Sequence, residues 1–174
     1  QFVACNAFDI VLGNNKWAYV FPIYDQWVNI HCINLNLQVD NELLNSGNSI
    51  YARTKGKLQP SSNFIYGAEL SGDIEKYDIK SGIANYLYDS PYFGSYPTYG
   101  FLWFSEDGLR VFTKGKTVFR TSSIKDQDML YNGIISLETK SAKIMNLDHS
   151  AIKDNIYIIS SEDDTWTNKR KPFI

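Results

Sequence analysis

Apolar and polar positions alternate along the chain in short runs, each run preceded by a polar turn, and the arrangement recurs. Four segments share it: Asn15-Lys16-Trp17-Ala18-Tyr19-Val20, Ser62-Asn63-Phe64-Ile65-Tyr66-Gly67, Asp107-Gly108-Leu109-Arg110-Val111-Phe112 and Asp154-Asn155-Ile156-Tyr157-Ile158-Ile159. Their starting positions, 15, 62, 107 and 154, differ by 47, 45 and 47. Asn, Asp and Gly adopt turn conformations at little cost, so each pair predicts a tight turn. The Tyr, Val, Ile and Phe that follow favour a pleated, half-buried strand.

A second element keeps the register. Ile30-His31-Cys32-Ile33-Asn34-Leu35 precedes Ile74-Glu75-Lys76-Tyr77-Asp78-Ile79 by 44 residues, and Val118-Phe119-Arg120-Thr121-Ser122 follows after another 44. Asp78-Ile79-Lys80-Ser81-Gly82 ends a strand in a turn, and Ile83-Ala84-Asn85-Tyr86-Leu87-Tyr88 reads as the next strand. Each unit thus holds three or four strands in about 45 residues, the dimension of a propeller blade. The expectation is an all-β chain of about four repeats of about 45–47 residues. Units near 7–50, 51–98, 99–145 and 146–174 would form a single propeller-like domain, or propeller fragment, over 1–174.

The order of turn, strand ending in Tyr or Val, turn, and strand ending Tyr77-Asp78-Ile79-Lys80-Ser81-Gly82 resembles bacterial β-propellers of the YVTN type. The match is best over Ser62 to Tyr88 and next best over Phe101 to Ser122. The first unit keeps Trp17-Ala18-Tyr19-Val20 but has Asn34-Leu35-Asn36-Leu37 where the family has Asp and Gly, and the third and fourth lack that second motif. The resemblance covers most of the chain at the level of the repeat. It implies seven- or eight-bladed relatives, of which four units are about half. A closed four-bladed ring and a different all-β fold are the alternatives. A half-propeller would leave blade edges and apolar faces open to self-association.

Composition changes this picture little. The chain has 174 residues, enough for one domain that buries roughly two-thirds of its unfolded surface. Apolar residues are 44% and aromatic residues 15%, with 12 Tyr, which suits short strands better than a helical bundle. A net charge of −2 gives no basic footprint for nucleic acid, and no apolar run reaches the roughly 18 residues of a spanning helix. The chain opens at Gln1, which reads as a processed or excised product. Phe2-Val3-Ala4-Cys5 loosely resembles the end of a lipoprotein signal, but it lacks the hydrophobic region, so a strand residue or a remnant is expected instead. Cys5 and Cys32 read as buried thiols that would pair only with Cα atoms within about 7 Å. The resemblance and the start at Gln1 imply an expected setting outside the bacterial cytoplasm, in the periplasm, at the cell surface or secreted.

Catalytic vocabulary is thin. The chain has two histidines and no nucleophile elbow, zincin motif or phosphate-cradling loop. His31, in a predicted strand, reads as structural, and His149 as a surface turn residue. Asp126-Gln127-Asp128 and Glu162-Asp163-Asp164 alternate oxygen ligands without the glycine turn or distal Glu of a Ca²⁺ loop, so both read as solvated turns. Lys169-Arg170-Lys171 is too short a basic run for nucleic acid. No catalytic residue, metal or cofactor is therefore assigned.

The richest stretch runs from Tyr86 to Trp103. In it Asp89 to Gly100 predicts a long loop between units, with aromatic, Gly and Ser residues that suit an adaptable binding surface. Tyr92, Phe93, Tyr96, Tyr99 and Trp103 are the candidate ligand-binding residues, for a protein, peptide or carbohydrate. The competing expectation is that these rings pack between blades. The function expected is a non-catalytic binding or interaction module. The alternative is a lactonase-like hydrolase or lyase with its site in the central channel, which several channel-facing His or carboxylates would favour. A purely architectural spacer is a third reading.

Overall fold

The computed structural model describes residues 6–24, 28–41, 49–60 and 63–162, which include neither Cys5 nor Lys169-Arg170-Lys171 nor Asp163-Asp164. The described residues are all-β, arranged as successive antiparallel sheets. The first runs β1 (Ala7–Leu12), β2 (Trp17–Pro22) and, after the short β3 (Val28–Asn29), β4 (His31–Asn34) and β5 (Val39–Asn41). β3 pairs with β6 (Ser49–Ile50) beside it. The second sheet is β7 (Lys55–Leu58), β8 (Phe64–Ala68), β9 (Ile74–Asp78) and β10 (Asn85–Asp89). The third is β11 (Leu102–Phe104), β12 (Arg110–Thr113), β13 (Thr117–Arg120) and β14 (Tyr131–Ile134). A two-stranded hairpin of β15 (Lys143–Ser150) and β16 (Asn155–Ser161) follows. No helix among the described residues is long and apolar enough to cross a membrane.

The repeat falls on equivalent strands. Its first element lies on β2, β8, β12 and β16, the second strand of each sheet, and its second element on β4, β9 and β13, the third strand. Alternation then gives each sheet two apolar faces. Tyr19 and Phe21 pack with Ile65 and Tyr77 between the first two sheets. Tyr66 and Ile74 pack with Val111 and Phe119 between the second and third. Phe112 and Val118 pack with Ile144 and Leu147 under the last hairpin. Tyr19, Tyr66 and Phe112 occupy one structural position and are all buried, whereas Ile159, at the same position of β16, is 64% exposed.

Turn residues tie neighbouring sheets together. Asn15 accepts from the Trp17 amide and donates across to the Ile79 carbonyl (2.8 Å) and to the Tyr19 hydroxyl (2.9 Å). Asp78 accepts from the Lys80 amide, shaping the turn that brings Gly82 to φ +92° under the Trp17 ring. A Cβ there would stand 2.3 Å from Trp17 Cε2. Gly82→Ala is expected to cost about 2–4 kcal/mol in urea denaturation, from left-handed strain plus overpacking. Gly133→Ala, at φ +132° with nothing within 4 Å, should cost clearly less. Equal losses would show that the Trp17 contact is unimportant.

Three readings of the sequence change. Asp128 is not in a solvated turn. Lys125–Gln127 form a 3₁₀ turn with Asp126 and Gln127 exposed, but Asp128 is 1% exposed. Its carboxylate accepts from Lys76 Nζ (2.7 Å), the Tyr66 and Tyr88 hydroxyls (3.0 and 3.1 Å) and the Ser122 amide (2.8 Å). Lys76, likewise buried, also donates to the Ser122 carbonyl and lies 4.3 Å from the Phe64 ring centre. His149 is not a surface turn residue. It lies in β15, 7% exposed, stacked on Phe112, with Nδ1 accepting from the Glu106 amide. The fourth unit's sheet begins at Lys143, so the boundary near 145/146 falls inside β15. His31, in β4, and the Cys32 side chain beside it are both buried.

Candidate binding groove

The first strands of successive sheets lie side by side, β1 against β7, β7 against β11, and β11 against β15. A groove of about 340 Å³ opens along β1, β7 and β11. Asp9 to Leu12, Lys55 to Leu58 and Phe101 to Trp103 line it. Gly56 faces the first sheet, where a Cβ would meet Phe21 and Val11, so strand alternation turns Lys55 and Lys57 the other way. The Asp9 carboxylate accepts from the Gly56 amide (3.1 Å), pinning β1 to β7.

Lys55 Nζ stands 3.6 Å from the Phe101 ring centre and 5.5 Å from that of Phe8. Lys114 Nζ lies 5.9 Å from the same Phe101 ring. An ammonium over an aromatic face is held by the ring quadrupole, which fixes Lys55 at the groove wall. Phe101 in turn stacks on Trp103, with centroids 5.7 Å apart, and the Trp103 indole N–H donates to Asn146 of β15. Asp9 is the one carboxylate in the lining, and neither histidine belongs to it.

The five residues predicted for the site do not converge on one surface. Tyr92 and Tyr96 are half-buried against the core between the second and third sheets. Their rings meet edge to face at 5.1 Å, Tyr96 stacks on Tyr131, Tyr92 stacks on Phe119, and the Tyr92 hydroxyl accepts from the Tyr131 amide. Phe93 (76%) and Tyr99 (43%) are exposed, and Lys143 Nζ lies 5.1 Å from the Tyr99 ring centre. Trp103 is buried at the groove wall. The loop carrying the tyrosines is seated rather than free. Thr98 is fully buried, donating to the Glu69 carbonyl, and a Cβ on Gly115 would lie 1.7 Å from the Pro97 carbonyl oxygen. Lys55, Lys57, Asp9 and Phe101 are not recognisable as a group in the sequence. Their one local signal is the pair of lysines flanking a glycine in an otherwise apolar repeat.

A second titratable group lies at the rim of the second sheet. Glu69, Asp73 and Glu75 are buried there, with Asp89 close by. Burial is the main cause that pushes the Glu75 carboxyl up to about 8, helped by repulsion from Glu69, Asp89 and Asp73 and opposed by the Tyr77 hydroxyl, which donates to it. Burial likewise raises Asp73 to about 6, against hydrogen bonds from Ser90 and the Ile74 amide. Among the described residues, no three His, Cys, Asp or Glu side chains gather as a metal site requires.

Fold and groove together define a repeated antiparallel β-sheet protein in which the first strands of three successive sheets wall a small, partly cationic groove. The chain matches no protein-family model, and no curated protein is detectably similar to it.

Proposed function

We propose that this chain is a non-catalytic binding module built from blades of a β-propeller, with the groove between the first strands as its ligand site. Four repeats of similar length, three four-stranded meanders, and first strands that adjoin in sequence order support the propeller reading. In such an arrangement the first strands line the central channel, and exposed Ile159 marks the face on which a further blade would pack. The Tyr77-Asp78-Ile79-Lys80-Ser81-Gly82 turn keeps the YVTN-type likeness, and an extracytoplasmic setting goes with it.

The observation that carries the binding reading is the groove's lining. It offers aromatic and aliphatic walls with a few placed polar groups, as ligand sites do. One carboxylate already bonded to backbone is a poor acid–base set for a hydrolase. Chemical-shift mapping with a mixture of neutral and charged fragments tests it. Hits are expected to perturb Asp9 to Leu12, Lys55 to Leu58 and Phe101 to Trp103. Hits confined to Tyr92–Tyr99, or none at the groove, would sink the reading.

A further inference from the structure

We propose that the groove receives a small organic anion, a carboxylate carried on an apolar or aromatic body. This rests on the groove being the ligand site. Lys55 and Lys114 converge on one aromatic ring, and Lys57 lines the same groove. Among the described residues no carboxylate lies within ion-pair distance of any of the three, the described ion pair being Lys76–Asp128. Asp9, the one acidic residue in the lining, has an oxygen bonded to the Gly56 amide. The chain as a whole carries −2, so this concentration of cations runs against the global balance.

An ammonium held on a ring face keeps protons for hydrogen bonding on the side away from the ring, and Lys55 lines the groove. Such a half-desolvated cation gains more from an anionic acceptor than an exposed lysine does. The remaining lining defines the rest of the ligand. Exposed Ile10 and Leu12 line the groove together with Phe101 and Trp103, giving apolar surface that a bare anion would leave uncovered. The volume, near the lower end for ligand sites, fits a single ring or short alkyl chain with its charged head.

Calorimetric titration of the full chain with phenylacetate, its neutral amide phenylacetamide, and inorganic phosphate tests this. Phenylacetate should bind about tenfold or more tightly than either comparator, the difference one charge-assisted contact supplies. Lys55→Gln should bring phenylacetate close to the amide, and added salt should weaken it. Lys114→Gln carries the same expectation in smaller measure if the Lys55 variant does not fold. Equal binding of the amide and phenylacetate, or of phosphate and phenylacetate, overturns the assignment while leaving the groove as a binding site. Neutral fragments that map to the groove while phenylacetate does not bind overturn it in the same way. Failure of every fragment at the groove overturns the underlying reading as well.

Discussion

Asp128→Ala is expected to destabilise the fold by about 3–5 kcal/mol, the usual cost of removing one partner of a buried ion pair. Lys76 would then keep its ammonium 1% exposed, with the Ser122 carbonyl and the rings of Phe64, Tyr66 and Tyr88 as its remaining company. Burial already pushes the Lys76 ammonium toward its neutral form, and the Asp128 carboxylate is the main group opposing this, with Asp78 adding to it. The Tyr66 and Tyr88 hydroxyls and the Ser122 amide would lose their acceptor in the same step. For a domain with about 5–15 kcal/mol in hand, such a loss lowers the melting temperature by roughly 6–20 °C. Lys76→Met should cost a similar amount alone. The double variant, Lys76→Met with Asp128→Ala, should lose much less than the sum of the two, because neither charge is then stranded. Equilibrium urea denaturation of the four proteins reads this directly. A loss below about 1 kcal/mol for Asp128→Ala, in the range of exposed pairs, would show that the pair is not the buried tie between sheets.

Stability is expected to fall as pH rises from 5 to 8.5, with Glu75 as the main cause. Its carboxyl is held at about 8 in the fold against 4.5 as its ordinary value. The folded protein therefore holds this proton over a range in which the unfolded chain has released it. The resulting stability is fully present below 4.5 and is lost progressively up to about 8, after which the curve flattens. Asp73 acts in the same direction between 3.8 and about 6. At about 1.4 kcal/mol for each pH unit of displacement, the combined loss amounts to several kcal/mol. Glu75→Gln keeps an oxygen for the Tyr77 hydroxyl while removing the charge. It should match the parent near pH 5, exceed it in stability by a few kcal/mol at pH 8.5, and abolish most of the slope. A parent whose stability is flat or rises over this range, or a Gln variant that keeps the slope, would refute the assignment.

The parts of the fold that can be read along the chain are those with a local cause. The turn before β2, β12 and β16 is written by adjacent Asn, Asp and Gly residues, and the strand after it, as in β8, by period-two alternation within six residues. The first strands are less visible. β7 reads Lys55-Gly56-Lys57-Leu58 and β11 reads Leu102-Trp103-Phe104, too short and too irregular for alternation to register. The groove is built from these strands, so its residues carry no sequence signal as a set. The aromatic loop carries a strong one, yet its Tyr92 and Tyr96 pack against Phe119 and Tyr131.

Strand and turn propensities act between near neighbours, so residue order alone was enough for the all-β class, the second strands of the four units and the third strands of the first three. Which polar residues are buried, and which cations meet, follows from the packing of one sheet on the next. Asp128 looks like its exposed neighbours Asp126 and Gln127 until Lys76, 52 residues away, is laid against it. Lys55 is an ordinary strand lysine until β11 brings Phe101 beneath its ammonium. Burial and charge pairing depend on distance in space, and that distance is set only when the sheets come together.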